Sequence, residues 1–149
     1  KMNNLYKASA LADTAHKDQT YGEYKYIYHV HQVVREVEST LHHKSMFGMD
    51  TNSKYLEVAY LHDVVEDTDI TLQDLTNKGF SQEVVDAVDA ITKRDNETRS
   101  EYLERCKANP IALLVKRCDT VCNLRQSCWD DNLQRVSRYT KQLRILFEA

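Results

Sequence analysis

The scarcity of glycine and proline is the feature that most restricts what this chain can fold into. Its 149 residues include three glycines and one proline, too few for the many turns of an all-β sandwich. Leucine, lysine, glutamate, arginine and alanine recur in windows of helical length. A chain of this length is expected to form one domain. The sequence therefore predicts a single all-α domain.

Capping residues and short polar turns are predicted to divide the chain into about seven to eight helices. The expected stretches are 3–17, 26–43, 54–67, 71–79, 81–92, 98–106, one that starts at 109–110, and a last one capped by Asp130 or Asp131. The third stretch is expected to follow a capping cluster at 50–53. The last is amphipathic, with apolar residues at helical spacing.

Charge and apolar content exclude several classes of partner. A net charge of −3 gives no overall attraction to nucleic acid. No apolar run approaches the ~20 residues needed to cross a bilayer, and the N-terminal segment lacks the apolar core of a signal peptide. We expect a cytoplasmic protein with no nucleic-acid and no membrane partner. Lys1 before Met2 is expected to come from an expression tag, so the domain is expected to span 2–149.

Four cysteines lie in the last third of the chain, at positions 106, 118, 122 and 128. None of them shows Cys-x-x-Cys spacing. Cys118 and Cys122 are one helical turn apart, but no second pair of soft ligands accompanies them to complete a zinc site. We expect reduced thiols in the core.

Four side chains able to bind a metal or move protons lie within six residues: His62, Asp63, Glu66 and Asp67. If 54–67 is one continuous helix, they project into one sector in pairs one turn apart. Three carboxylates and an imidazole in one place would repel each other and lose hydration, which a divalent cation would offset. The alternative is a solvated acidic helix end.

Two further segments supply candidate ligands. His29 and His31 lie near the start of the second predicted helix, and Asp119 lies in an otherwise apolar helical face with Asn123 one turn later. The two histidines are two residues apart and point roughly 200° apart on a helix, so one of them can face a given ion. A lone His or Asp is usually a structural group. Together with His62 and Asp63, however, the order His, His-Asp, Asp indicates a metal site.

These motifs resemble those of the HD-domain metal phosphohydrolases, and most of all the hydrolase domain of Rel/Spo-type alarmone enzymes and the single-domain small alarmone hydrolases. The resemblance covers most of the chain. It is carried by AHKDQ at 15–19, YIYH at 26–29, LHDVVEDT at 61–68, and VKRCD at 115–119 followed by NLR at 123–125. A bare His-Asp pair is a weak signal, whereas the longer form in this order is specific. The resemblance implies a single HD-domain helical bundle.

The resemblance also implies roles for individual residues. The implied ligands of one divalent metal are His29, His62, Asp63 and Asp119, and the implied catalytic pair beside the water is Glu66 and Asp67. The implied substrate-binding residues are Asn123, Tyr139, Arg135, Lys93 and Tyr21. His16 matches a family position that supports the site. Two imidazoles and two carboxylates suit Mn²⁺ and are compatible with Fe, Co, Ni or Zn.

The implied reaction is hydrolysis of ppGpp or pppGpp, the alarmones of the stringent response, with release of pyrophosphate from the 3′ position. Two alternatives remain: an HD-type nucleotidase or phosphatase that acts on another nucleotide or cofactor, and a nucleotide-binding HD protein without catalysis. The expected partner is a small-molecule nucleotide substrate. Synthetase activity is not expected, because the transferase domain needs substantial further sequence.

The chain departs from the family pattern after Gln19. Related enzymes carry an Arg-Lys pair there that brackets the nucleotide, whereas this chain has Thr20, Tyr21, Gly22 and Glu23. The candidate substitutes are Lys17, Lys25 and Arg94, with Tyr21 available to stack on a base. On the last helix, cations recur every three residues at 135, 138, 141 and 144, a pattern that usually marks a solvated face. Nothing in the sequence indicates an oligomeric state.

Overall fold

The architecture is a bundle of helices with one small hairpin near the N-terminus. A computed structural model describes residues 3–48 and 52–149. The elements in this part of the chain are α1 Asn4–Ala15, β1 Thr20–Tyr21, β2 Tyr24–Lys25, α2 Tyr26–Ser45, α3 Lys54–Leu61, α4 Val64–Asp67, α5 Leu72–Asn77, α6 Gln82–Ile91, α7 Arg99–Lys107, α8 Pro110–Trp129 and α9 Leu133–Phe147. The predicted all-α class is confirmed.

Several helices begin where their capping residues predict. Thr71 caps α5 in a reciprocal capping box with Asp74, and the Ser81 hydroxyl group accepts the backbone N–H of Val84 in the first turn of α6. The side chain of Asn109 caps α8, whose first residue is Pro110. These side chains satisfy donors that have no partner inside the helix, which fixes the start of each helix.

Two predicted boundaries are wrong, and one lies partly outside the described residues. The last helix is capped by Asn132, whose side chain accepts the Arg135 N–H at 3.1 Å, instead of by Asp130 or Asp131. Asp130 still belongs to the end of α8, and Asp131 adopts a φ of 52° in the turn. The predicted stretch 54–67 is two helices, α3 and α4. The predicted cluster at 50–53 includes residues outside the described part.

Helix α8 lies at the centre of the bundle and packs against α2, α3, α6, α7 and α9. Its residues Leu114 and Val115 share one buried apolar cluster with Val33 of α2 and Val58 of α3. Each such side chain contributes roughly 1.5–3 kcal/mol when fully removed from water. The packing fixes the relative positions of α2, α3 and α8. Within the described residues, no helix combines the length and the apolar character that crossing a bilayer would take.

The hairpin connects α1 to α2 and brings an aromatic side chain to the start of α2. Tyr21 lies opposite Tyr24 in the antiparallel pair. Gly22 turns the chain with a φ of 60°, a conformation that glycine adopts without strain. The Tyr26 N–H group donates to the Gln19 carbonyl at 2.9 Å. Tyr21 is thereby held over the first turn of α2.

The four cysteines carry free thiols, as expected. Cys106, Cys118 and Cys122 are buried, but Cys128 is exposed near the end of α8. The predicted core placement is therefore wrong for Cys128, which lies on the exposed side of the last turn of α8, whereas the neighbouring Ser127 is buried.

Candidate metal centre

Three buried side chains from three helices converge on one point. His29 comes from the first turn of α2, His62 follows the last residue of α3, and Asp119 lies in the middle of α8. Each offers one ligand atom, and these atoms all lie within 4.8 Å of one another. The three residues are at most 4% exposed. This spacing suits a single ion bound at their centre.

A break between α3 and α4 determines the positions of His62 and Asp63. In a continuous helix the Ala59 carbonyl would accept the backbone N–H of Asp63. Here it lies 2.7 Å from Nδ1 of His62, and Asp63 adopts φ −110° and ψ 0°, a conformation common in active sites. The predicted one-turn pairing of His62 with Glu66 on a single helix is therefore replaced by two short helices.

The ring of His62 has the arrangement of a metal-binding imidazole. Because Nδ1 donates to a carbonyl, Nε2 is the nitrogen that carries the lone pair when the ring is neutral. Nε2 lies 2.9 Å from Oδ2 of Asp63 and 3.5 Å from Oδ1 of Asp119. Among the described residues it nevertheless has no aligned hydrogen-bond partner. A buried nitrogen that faces two carboxylates without a hydrogen bond fits a divalent cation.

Electrostatics favour a positive charge at the same point. Burial alone would lower the pKa of His62, but the negative charges of Asp63 and Asp119 outweigh it and raise that pKa well above its ordinary value. The carboxylates thus draw a cation to the ring nitrogen, and a metal ion can take the place of a proton there.

Asp119 is held in its ionised form. Burial alone would raise its pKa, but the Lys116 ammonium, a hydrogen bond with His29 and the charge of His62 hold the pKa of Asp119 well below its ordinary value. Lys116 Nζ lies 3.0 Å from Oδ2, and His29 Nε2 lies 2.9 Å from Oδ1. An ionised carboxylate is the form that binds metals.

Asp63, the fourth predicted ligand, lies at the edge of this group. It is not one of the three residues whose ligand atoms all lie within 4.8 Å of one another. Its carboxylate faces the same cavity and accepts a hydrogen bond from the Tyr26 hydroxyl group. The fit of the site to a cation therefore rests on His29, His62 and Asp119, with Asp63 adjoining.

The predicted catalytic pair, Glu66 and Asp67, lines the same cavity from α4. Oε1 of Glu66 accepts the backbone N–H of Lys93 at 2.7 Å, which fixes that carboxylate. Burial, together with the negative charges of Asp63 and Glu66, raises the pKa of Asp67 to about 6. A carboxylate with this pKa can both take and return a proton near neutral pH.

His16 supports the site from behind, as the resemblance implied. It is fully buried, and its Nδ1 lies 2.7 Å from Oε1 of Gln19. The Gln19 amide in turn donates to the Asp67 carbonyl at 2.8 Å. This chain of contacts ties the end of α1 to the end of α4.

The two histidines of α2 have different surroundings. His29 is buried in the site, whereas the side chain of His31 is 49% exposed and lies 3.5 Å from Asp13. Its ring meets Tyr60 edge to face. Helix geometry alone allowed either histidine to face an ion and the resemblance implied His29, which the structure places in the buried group with His62 and Asp119.

The cavity around these residues has a volume of about 210 Å³. Of the predicted substrate-binding residues, Tyr21, Asn123 and Tyr139 line it. Arg135 does not line it directly but donates to the Tyr21 hydroxyl group at 2.9 Å. The Tyr21 hydroxyl group donates to Asn123 at 2.7 Å.

Lys93 is not brought to the cavity by its side chain. Its ammonium donates to the carbonyls of Glu97 at 2.9 Å and Arg94 at 3.3 Å. Its backbone N–H contacts the site through Glu66. Lys93 therefore shapes the loop after α6, and the predicted contact of its side chain with substrate stays a prediction.

Four further residues that line the cavity had no role assigned from the sequence: Tyr26, Lys116, Arg99 and Gln142. The position of Lys116, three residues before Asp119, places both on one helical face, so spacing could have identified it. Arg99 and Gln142 carry no such signal, because α7 and α9 reach the cavity only through the packing of the bundle.

The fold and this buried group define an all-helical domain with a candidate metal centre. No family model matches the chain. Among solved structures, a metazoan ortholog of SpoT has the same fold, with a TM-score of 0.73 and 23% sequence identity over 99% of this chain and 87% of that one. That protein hydrolyses ppGpp and plays a role in starvation responses. The helical-bundle fold implied by the motifs is confirmed, because this chain shares it with that protein.

Proposed function

We propose that this protein is a metal-dependent hydrolase of ppGpp and pppGpp that releases pyrophosphate from the 3′ position. The 3′ phosphoester bond breaks with water as the nucleophile, and the products are GDP or GTP plus pyrophosphate. The hydrolase domain comprises residues 2–149. Its partner is a small nucleotide, and neither a nucleic acid nor a membrane is a partner. The protein acts in the cytoplasm, in stringent-response signalling.

One observation carries the proposal: a candidate metal group and an acidic pair face one cavity. His29, His62 and Asp119 form the metal group, and Glu66 and Asp67 lie on another wall of the same cavity. Phosphoester hydrolysis needs both a cation at the phosphate and a base at the attacking water. The shared fold with a ppGpp hydrolase supports the choice of substrate.

We propose one divalent ion, Mn²⁺, held by His29, His62, Asp63 and Asp119. Mixed imidazole and carboxylate ligands suit this ion better than a thiolate-preferring one. When bound, the ion supplies positive charge that polarises the phosphate and lowers the pKa of nearby water.

The protein side chains then handle the proton and the substrate. Asp67 accepts the proton of the attacking water, since its pKa of about 6 suits a base near neutrality. Glu66, fixed by the Lys93 N–H, orients the water beside it. Asn123 and Tyr139, which line the cavity, offer neutral hydrogen-bond partners to the nucleotide.

Arg135 and Tyr21 take the place of the basic pair that is missing after Gln19. The Arg135 guanidinium donates to the Tyr21 hydroxyl group and lies 5.8 Å from the centre of its ring. The Tyr21 ring is stacked on His29 with a centroid distance of 4.9 Å. The cation at the hairpin therefore comes from α9, whereas in related enzymes the basic pair comes from the residues just after the position of Gln19.

The test is incubation of the protein with Mn²⁺ and ppGpp, with products separated by anion-exchange chromatography. GDP and pyrophosphate should appear in equal amounts. Asp63→Ala should abolish turnover, whereas Asp69→Ala, a matched exposed carboxylate that does not line the cavity, should retain it. Absence of ppGpp turnover by the manganese-loaded protein would remove the substrate assignment.

The alternative enzymes are separated by the same chromatography. A panel of deoxynucleoside monophosphates and phosphorylated cofactors would yield orthophosphate with a nucleotidase or phosphatase. The alarmone hydrolase should release pyrophosphate from ppGpp and leave that panel intact. A protein that binds ppGpp without hydrolysing it would release neither pyrophosphate nor orthophosphate.

A further inference from the structure

Two adjoining concavities share the side chains of Arg99 and Gln142. One is the metal cavity, and the other is a groove of about 280 Å³ between α7 and α9. The groove is also lined by Arg138 and Lys141. We refer to this surface, formed by Arg99, Arg138, Lys141 and Gln142 with neighbouring neutral side chains, as the basic groove.

The two concavities have opposite electrostatic character. Four carboxylates line the metal cavity, those of Asp63, Glu66, Asp67 and Asp119. The basic groove is lined by three cations and no carboxylate. Within the described part of the chain, none of these three cations forms an ion pair. Positive charge without an internal partner marks the groove as a place for an anion.

Arg99 is held at the junction by buried polar contacts. Its Nη1 donates to Oε1 of Gln142 at 2.6 Å. The Gln142 side chain is 2% exposed, and its amide donates to the Thr120 hydroxyl group at 2.7 Å. The Thr120 hydroxyl group donates to the Lys116 carbonyl at 2.7 Å. The remaining guanidinium N–H groups are thus presented from a fixed anchor, which favours recognition of phosphate.

Arg138 provides a second connection between the groove and the cavity. Its Nη2 donates to the hydroxyl group of Tyr139 at 3.3 Å, and Tyr139 lines the metal cavity. Lys141 follows Arg138 by three residues on α9, so both side chains lie on one face. The basic groove therefore continues the metal cavity toward α9 without interruption by an acidic residue.

We propose that the basic groove binds the 5′ phosphate chain of the substrate while the 3′ pyrophosphate lies at the metal centre. This inference rests on the proposed function, since it requires a nucleotide with phosphates at both ends. A substrate of this kind presents two separate anionic groups. The protein offers a metal centre for one of them and, for the other, three cations that form no ion pair with any described residue.

The cavity volumes are consistent with a substrate whose two ends lie in different concavities. Sites for whole drug-sized ligands measure roughly 300–1,000 Å³, so a metal cavity of about 210 Å³ accommodates only one end of a nucleotide. The other end must lie outside it. The basic groove adjoins the metal cavity, and its charge matches that of a phosphate chain.

Hydrolysis of two substrates by a set of variants tests this assignment. The substrates are ppGpp and guanosine 3′-diphosphate, which has the same scissile bond but a 5′ hydroxyl group. The variants are Arg138→Gln, Lys141→Gln and the double variant Arg138→Gln/Lys141→Gln, which change residues of the groove that do not line the metal cavity. For each variant KM is expected to rise about tenfold or more with ppGpp, the range for loss of a charge-assisted hydrogen bond, and less than about twofold with guanosine 3′-diphosphate.

Matched controls isolate the groove from general charge. Arg144→Gln removes an exposed cation from the same helix that does not line the groove and should leave both KM values unchanged. Arg138→Lys should restore part of the ppGpp affinity that Arg138→Gln loses. The inference would be overturned if the wild-type enzyme hydrolyses ppGpp but the variants change KM equally for the two substrates, or change it for neither. A wild-type enzyme that hydrolyses neither would instead refute the proposed function.

Salt dependence gives an independent measurement. Because exposed charges are screened by ions, the wild-type KM for ppGpp should rise steeply between ~50 and ~300 mM NaCl. The rise should be shallower in the double variant and in reactions with guanosine 3′-diphosphate. Identical salt slopes in all of these cases would contradict binding of the 5′ phosphates by the groove.

Discussion

The hydroxyl group of Tyr26 donates a hydrogen bond to Oδ2 of Asp63, which lies 37 positions later in the chain. Burial and the charge of Asp63 raise the pKa of Tyr26 far above its ordinary value, so the hydroxyl group keeps its proton. The contact joins the first residue of α2 to the break between α3 and α4. It holds the candidate ligand Asp63 beside the group of His29, His62 and Asp119.

Replacing Tyr26 with phenylalanine should weaken metal binding. The change removes only the hydroxyl group that orients Asp63, and loss of such supporting hydrogen bonds typically lowers metal affinity about 10- to 100-fold. Isothermal titration with Mn²⁺ measures this directly. Tyr28→Phe is the matched control, because Tyr28 is on the same helix and is 56% exposed. An unchanged dissociation constant for Tyr26→Phe would show that Asp63 needs no such support.

Metal should stabilise the fold through His29 and not through His31. A ligand that binds only the folded state adds about 2.7 kcal/mol at a hundred times its Kd, which corresponds to a rise in Tm of roughly 5–10 °C for a domain of this size. Differential scanning fluorimetry with and without Mn²⁺ should show this shift for wild type and for His31→Ala. In His29→Ala the shift should be lost. Chelation by EDTA should reverse it, and a shift retained in His29→Ala would contradict the assigned centre.

Arg135→Ala should raise KM for ppGpp more than it lowers kcat. Arg135 contacts the site through Tyr21 and not through the metal group, so its loss removes binding that is common to the ground and transition states. Steady-state kinetics with ppGpp check this prediction. Tyr21→Phe is a second variant, which removes the same hydrogen bond from the side of its other partner. An unchanged KM in both variants would argue against a role of this pair in substrate binding.

Local signals were sufficient for much of the fold and for the core of the site. The capping residues Thr71, Ser81 and Asn109 act within one turn, so the sequence alone locates their helices. The apolar positions of each helix fix which face is buried. His29 and Asp119 are each set on such a face, and the packing of α2 against α8 then brings them together.

The remaining features depend on competition between contacts that only the folded chain makes. The break after Leu61 follows from the His62 ring taking the Ala59 carbonyl, which no pattern of apolar residues indicates. The basic groove depends on how α7 lies against α9. The position of Arg99 is fixed by Gln142, 43 residues away, so periodicity within either helix could not predict their meeting.

The loop after α6 should make stability depend on pH through Glu97. Arg105 donates to both oxygens of this carboxylate, at 2.7 Å from Nε and 2.8 Å from Nη2. These hydrogen bonds lower the pKa of Glu97 from 4.5 to about 2. A carboxyl group whose pKa is lower in the folded state stabilises the fold above its unfolded pKa and loses that contribution as the pH falls. The loss should therefore occur between pH 4.5 and about 2.

Glu97→Gln isolates this contribution, since the variant cannot ionise at position 97. Urea unfolding should give a lower midpoint for the variant than for wild type at pH 7, and the difference should shrink as the pH falls toward 2. Arg105 also donates to the carbonyls of Asp89 and Thr92. Its hydrogen bonds therefore connect the end of α6 to α7, and its ion pair with Glu97 connects the loop between these helices to the same side chain. Glu38→Gln, a change at an exposed position of α2, should leave the midpoint near that of wild type at every pH. A gap between Glu97→Gln and wild type that stays constant from pH 7 to pH 2 would mean that the Glu97 carboxylate does not stabilise the fold through its charge.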